Sequence, residues 1–103
     1  MDSEITRIWH GVTLASKADE YLDFLKESGV KDYKSTPGNL SVKIWRRIDG
    51  DTAHFWTVTT WDSYESIRRF AGDDFEKAKY YPGDEDFLLS FEPNVIHCET
   101  YDL

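Results

Sequence analysis

The sequence contains one cysteine, Cys98, in 103 residues, so a disulfide within the chain is impossible and a reducing cytoplasm is the simplest compartment. It has no apolar run near the ~20 residues of a membrane-spanning helix. Its first residues, MDSEITRIWHG, are acidic and lack the basic and apolar regions of a secretion signal. Cations are scarce: 12 Lys and Arg stand against 20 Asp and Glu, a net charge of −8. Such a balance repels phosphate backbones and anionic bilayers, so neither nucleic acid nor membrane is an expected partner. There is no glycine-rich phosphate loop, nucleophile elbow or dinucleotide fingerprint. The acidic stretches Asp73-Asp74 and 83–86 lack the alternating ligand spacing of a calcium loop. They read as a helix cap and a solvated loop. No internal repeat or low-complexity segment is present.

Aromatic residues, by contrast, are plentiful: 16% of the chain, with four Trp. In a chain of one domain, residues 1–103, this loading points to a ring-lined pocket or an interface.

The hydrophobic pattern gives six main elements. Residues 4–13, EITRIWHGVT, are β-branched and aromatic and read as a strand. Ser16 to Asp19 resembles a capping box, and Ala18, Tyr21, Leu22 and Leu25 follow at helical spacing, with Gly29 as a stop. Residues 40–48, LSVKIWRRI, alternate, Asp49-Gly50 signals a hairpin, and 53–61, AHFWTVTTW, return. The return strand carries Phe55 and Trp61 on one face and Trp56 and Val58 on the other, so both faces are expected to be covered. Asp62 with Glu65 starts a helix through Phe70 that ends at Gly72. Asp73 with Glu76 suggests a further short helix to about Tyr80, which Pro82 limits. Residues 94–101, NVIHCETY, form a last strand.

The order strand, helix, strand, strand, helix, strand is the split βαβ of an α+β, ferredoxin-like fold with an antiparallel sheet. Its helices cover one sheet face. The large apolar residues on the other face call for a second subunit, hence a homodimer.

RIWHG at 7–11, WRR at 45–47, a strand ending in Trp61, FAGDD at 70–74 and a last strand with His97 together resemble the antibiotic biosynthesis monooxygenase-like domain family over about residues 5–101. The resemblance implies a dimeric α+β barrel with a pocket between helices and sheet in each subunit. Some members of that family are oxygenases that use no metal or organic cofactor, others bind and degrade haem, and many have no established activity. The haem-degrading branch uses an Asn on the first strand, a Trp on the helix after the third strand and a haem-ligating His on the next helix. The matching positions here are His10, Phe70 and Tyr80, none of which keeps the branch's residue.

Cofactor-free oxygenation needs an easily ionised substrate, a base, a donor for the oxyanion and a water-poor slot. His10 is the candidate base, because imidazole titrates near neutral pH. By analogy with the family pocket, His10 is expected to face the helices, with Arg7 and Trp9 facing the partner subunit. Gly11 offers room for a close approach. His97, with Glu99 on the same face, is a second candidate, and Tyr80 is a candidate oxyanion donor. Trp56, Trp61, Phe70 and Tyr81 are candidates for lining the slot. Each has a plainer reading: a half-buried histidine bonded to backbone, edge decoration, or core aromatics with a wet tip. Cys98 reads as a small buried hydrophobe. His10, His54 and His97 lie near one another in the expected topology, which raises a metal site as a minor reading.

The expectation is therefore a cofactor-independent monooxygenase acting on a small aromatic or enolisable metabolite, with no bound cofactor or metal. Three alternatives stay open: a non-catalytic dimer binding a small hydrophobic molecule, a haem protein, and an isomerase working by proton transfer.

Overall fold

Strand alternation decides which side chains share a face, and the helices decide which face becomes the core. The computed structural model describes residues 4–90 and 92–103. The first strand, β1 (Glu4–Leu14), buries Ile5, Arg7, Trp9 and Thr13 and leaves Thr6, Ile8, His10 and Val12 on the other side. A short 3-10 turn, Ala15–Lys17, leads into α1 (Ala18–Glu27), which buries Ala18, Tyr21 and Leu25. No side-chain cap forms at its start, so the expected capping box is absent. Gly29 does not end the helical region. Ser28 closes α1, its hydroxyl donating to the Phe24 carbonyl at 2.7 Å, and Gly29 opens a second helix, α2 (Gly29–Ser35).

Strands β2 (Asn39–Asp49) and β3 (Thr52–Trp61) form the hairpin, with Gly50 at φ 60° in its turn. The turn residues are 50 and 51, since Asp49 pairs with Thr52. Helix α3 (Tyr64–Ala71) is capped by Ser63, whose Oγ accepts from the Ser66 amide at 3.2 Å, rather than by Asp62. Asp62 instead accepts from the Ser66 hydroxyl at 2.5 Å. The last strand is β4 (Ile96–Thr100).

The sheet is antiparallel in the order β2-β3-β1-β4. This is the α+β, ferredoxin-like arrangement. The helix-side core has two clusters. Trp9, Tyr21, Leu25 and Phe55 centre one, and Ile5, Tyr33, Trp61, Ile67 and Phe70 form the other. Each such side chain contributes roughly 1.5–3 kcal/mol through burial.

The helix expected over 73–80 does not form. Its backbone groups bond elsewhere: the Ala78 amide to the Pro93 carbonyl at 2.9 Å, and the Glu76 carbonyl to the Val95 amide at 2.8 Å. The Phe75 and Lys77 carbonyls are taken by the Arg7 guanidinium. Tertiary partners thus replace the i to i−4 bonds that the local sequence favours.

No helix packs on the second sheet face among the described residues. A row running from Ile96 through Ile8 and Val58 to Lys43 crosses it. No helix among the described residues is long and apolar enough to cross a membrane.

Candidate functional site

The RIWHG strand sits the opposite way round from the sequence expectation. Arg7 and Trp9 face the helices, and His10 faces away from them. The phase is set by Ile5, which shares Arg7's face and joins the Trp61 cluster, carrying Arg7 and Trp9 inward with it.

On the helix side, a small cavity of about 20 Å³ lies among Trp9, Tyr33, Thr57, Lys79, Tyr80, Tyr81 and Asp84. That volume suits one water-sized molecule. Asp84 is 3% exposed, in a stretch that the sequence reads as a solvated loop. Its Oδ1 accepts from the Tyr21 hydroxyl at 2.9 Å and its Oδ2 from the Tyr81 amide at 2.6 Å. Burial lifts the Asp84 carboxyl above the usual range, and those two donors only partly oppose it. Burial raises the Tyr80 phenol too. The Tyr80 hydroxyl donates to the Glu92 carbonyl and accepts from the Trp9 indole at 3.3 Å.

Asp32 anchors the cavity's rim. Its Oδ2 accepts from the Tyr81 hydroxyl at 2.5 Å and from Lys79 Nζ at 2.7 Å. Burial works against its ionisation, but the Lys79 and Tyr81 bonds prevail and hold the carboxyl below the usual range. Lys79 also lies over the Phe70 ring, 4.5 Å from its centroid.

His97 is on the helix side but does not line this cavity. Nη1 of Arg7 lies 3.0 Å from its Nε2. Burial first, and the Arg7 charge second, push His97 down to about 4. Trp61 and Phe70 are core: Trp61 is wholly buried and its indole donates to Thr59 Oγ1 at 2.8 Å, while Phe70 stacks on Tyr33.

On the other face, His10 Nδ1 lies 2.5 Å from Glu92 Oε1, and His10 Nε2 lies 2.9 Å from His54 Nδ1. Both imidazoles pack against Trp56. An open hollow of about 230 Å³ adjoins them, lined by Arg47, Asp49, His54 and Trp56. Cys98 is exposed rather than buried.

The structure thus divides the sequence candidates. Tyr80 and Tyr81 meet at the helix-side cavity. His10 and Trp56 meet on the opposite face, and His97 joins neither. His10, His54 and His97 do not converge, and no cluster of three metal-ligating side chains occurs among the described residues. Sequence reasoning missed Asp84, Lys79, Asp32 and Glu92. Each lies in or against the irregular 72–95 segment or on α2, where no periodicity marks a buried polar group.

No protein-family model matches this sequence, and no curated protein matches it. Solved structures do share its fold. A Nitrosomonas europaea protein, provisionally named an antibiotic biosynthesis monooxygenase, superposes with a TM-score of 0.70 at 10% identity, covering 97% of this chain and 92% of its own. A haem-degrading protein from Mycobacterium tuberculosis gives 0.61 at 17% identity, covering 100% and 98%. SnoaB, a cofactor-independent oxygenase from Streptomyces nogalater, gives 0.59 at 14% identity, covering 98% and 94%. At these identities the likeness establishes the fold.

Proposed function

We propose that this protein is a cofactor-independent monooxygenase acting on a small aromatic or enolisable metabolite at the helix-side cavity. The observation that carries this reading is the Asp84 carboxylate, buried among aromatic rings beside the Tyr80 phenol. A carboxylate whose proton affinity is raised by burial is a stronger base than an exposed one. Asp84 takes the proton from the substrate's phenol or enol. The resulting anion gives an electron to dioxygen directly. Lys79 is the donor nearest to hand for the developing oxyanion, and the Tyr80 hydroxyl joins it on turning from the Glu92 carbonyl. Trp9, Tyr33 and Tyr81 keep water out. His10, on the other face, has no part in this site. The fold is one that SnoaB, a cofactor-independent oxygenase, also has.

A cavity of about 20 Å³ does not admit an aromatic metabolite as it stands. The 72–83 segment, which has neither helix nor strand, must lift. Its ties include the two Arg7 bonds, the Lys77–Asn94 bridge, the Lys79 and Tyr81 bonds to Asp32 and the Tyr80 bond to the Glu92 carbonyl. The second reading, a protein that binds a small hydrophobic molecule without turning it over, rests on the same aromatic lining.

Haem fits the residues less well. Of the three positions matched to the haem-degrading branch, His10 lies on the opposite face and Phe70 is packed in the core. The Tyr80 phenol already bonds to Trp9 and Glu92. A second copy packed on the open sheet face, through the apolar row of Ile96, Ile8 and Val58, completes the reading as a homodimer. Ile96 is 63% exposed without it.

The test is oxygen uptake by the metal-free protein with a panel of anthrones and activated phenols, alongside Asp84→Asn and Tyr80→Phe. Uptake is expected in the native protein, and a fall of about 100-fold or more in Asp84→Asn. Thermal stabilisation by those compounds without uptake would support the binding reading instead. A Soret shift on haemin titration would restore the haem reading. Light scattering should return the mass of two chains.

A further inference from the structure

The Glu92–His10–His54 row does not belong to the helix-side cavity, and its geometry fixes its protons. A carboxylate only accepts, so with both rings neutral Nδ1 of His10 carries hydrogen toward Glu92 Oε1, 2.5 Å away. Nε2 of His10 then has a lone pair and accepts from Nδ1–H of His54 at 2.9 Å. One ring nitrogen of the row is left with its lone pair unshared within it: Nε2 of His54. His54 is also the member of the row that lines the 230 Å³ hollow. Trp56 holds the two rings in place, its centroid 5.0 Å from His10 and 5.8 Å from His54. Arg47 pairs across the hairpin with His54, and Arg47 and Asp49 are the other charged residues lining the hollow. The site lies two residues along β3 from Val58, toward the β2–β3 turn and past the apolar row.

The geometry points to a second acid–base site here, a tautomerase site for planar 2-oxo acids that carry an acidic C–H. Arg47 binds the carboxylate, and the planar part of the substrate lies on the Trp56 ring. Nε2 of His54 removes the proton from the carbon next to the ketone. The electron pair of that C–H bond becomes the carbon–carbon double bond, and the ketone oxygen takes the negative charge. Solvent then protonates that oxygen. His54 passes its Nδ1 proton to Nε2 of His10, so the positive charge comes to rest beside Glu92. The proton returns to solvent when the row resets. Keto and enol forms are isomers, so no oxidant is consumed. His54 is the catalytic residue, and His10 and Glu92 are positioning residues. The site shares no side chain with the helix-side cavity and does not depend on the oxygenase reading.

The test uses the full chain and phenylpyruvate, with keto–enol interconversion followed by ultraviolet absorbance. The native protein should accelerate it above the buffer rate, and His54→Gln should lower kcat by about 100-fold. Arg47→Met should raise KM with little change in kcat. Glu92→Ala should lower kcat with little change in KM and weaken the preference of His10 for the Nδ1–H form, because the carboxylate that accepts from Nδ1 is gone. Imidazole ¹⁵N shifts should report the Nδ1–H form on both rings of the native protein. If His54→Gln fails to fold, Arg47→Met on the exposed strand tests the same hollow. No rate above buffer would overturn the proposal. So would an unchanged rate in folded His54→Gln, an unchanged KM in Arg47→Met, or Nε2–H forms on both rings.

Discussion

Nη1 of Arg7 and Nε2 of His97 lie 3.0 Å apart, at paired positions of β1 and β4. Arg7 only donates, so His97 accepts and its Nε2 is unprotonated. The Phe75 and Tyr64 rings stand edge-on to the imidazole. A buried cation and an uncharged histidine therefore share this edge of the sheet.

That pairing predicts a pH dependence of stability. The unfolded chain protonates His97 near its ordinary 6.5, and the folded chain only near 4. Between those values the unfolded state binds more protons, so acid favours unfolding. Stability should fall as pH drops from about 6.5 to about 4, and be flat in this group above that window. The loss is on the order of 1–2 kcal/mol once solvent screening is allowed for. Asp84, with its raised carboxyl, contributes with the opposite sign. Urea unfolding of native protein and His97→Gln across this range isolates the His97 part.

Arg7→Met should loosen the irregular segment. The guanidinium is 2% exposed, and it donates to the Phe75 and Lys77 carbonyls, the latter at 3.1 Å. Leaving those carbonyls without a donor costs about 2–4 kcal/mol in total. Amide exchange at Ala78 and Val95, whose bonds hold the same segment, should speed up more than exchange in β3. Equal acceleration everywhere would mean that Arg7 does not anchor this segment.

Gly11→Ala should disturb Trp9. A Cβ at position 11 would stand 2.3 Å from Cη2 of Trp9 and 3.0 Å from Leu88. The glycine thus makes room for an indole of its own strand rather than for a ligand. Overpacking of this kind costs about 1–3 kcal/mol. Tryptophan fluorescence should shift, since the indole must leave its bond to Tyr80.

Trp61 and Trp56, five residues apart on β3, should behave differently on truncation. Trp61 is wholly buried, and Trp61→Ala should cost about 3–5 kcal/mol. Trp56 lies on the open face, and Trp56→Ala should cost under about 1.5 kcal/mol. Its larger effect should be on the KM for phenylpyruvate. Equal losses of stability in the two variants would place Trp56 in a core.

The sequence by itself determined the four strands, the helices that follow β1 and β3, the hairpin and the antiparallel sheet, but not α2. It also determined which residues of each strand share a face, because alternation is a property of the local backbone. His10 with Ile8, and Arg7 with Trp9, follow from that alone. Only the tertiary structure decided which of the two faces meets the helices, since a period of two has no sign. For that reason His10 was expected in the helix-side pocket and is found outside it. The segment from 72 to 95 was equally illegible, its acidic and aromatic residues fitting a short helix and a wet loop. Arg7, Pro93 and Val95 take up its backbone groups, and Asp84 is buried through contacts made up to 63 residues away in the chain. Local propensity is worth tenths of a kcal/mol per residue, and a buried hydrogen-bonded charge outweighs it.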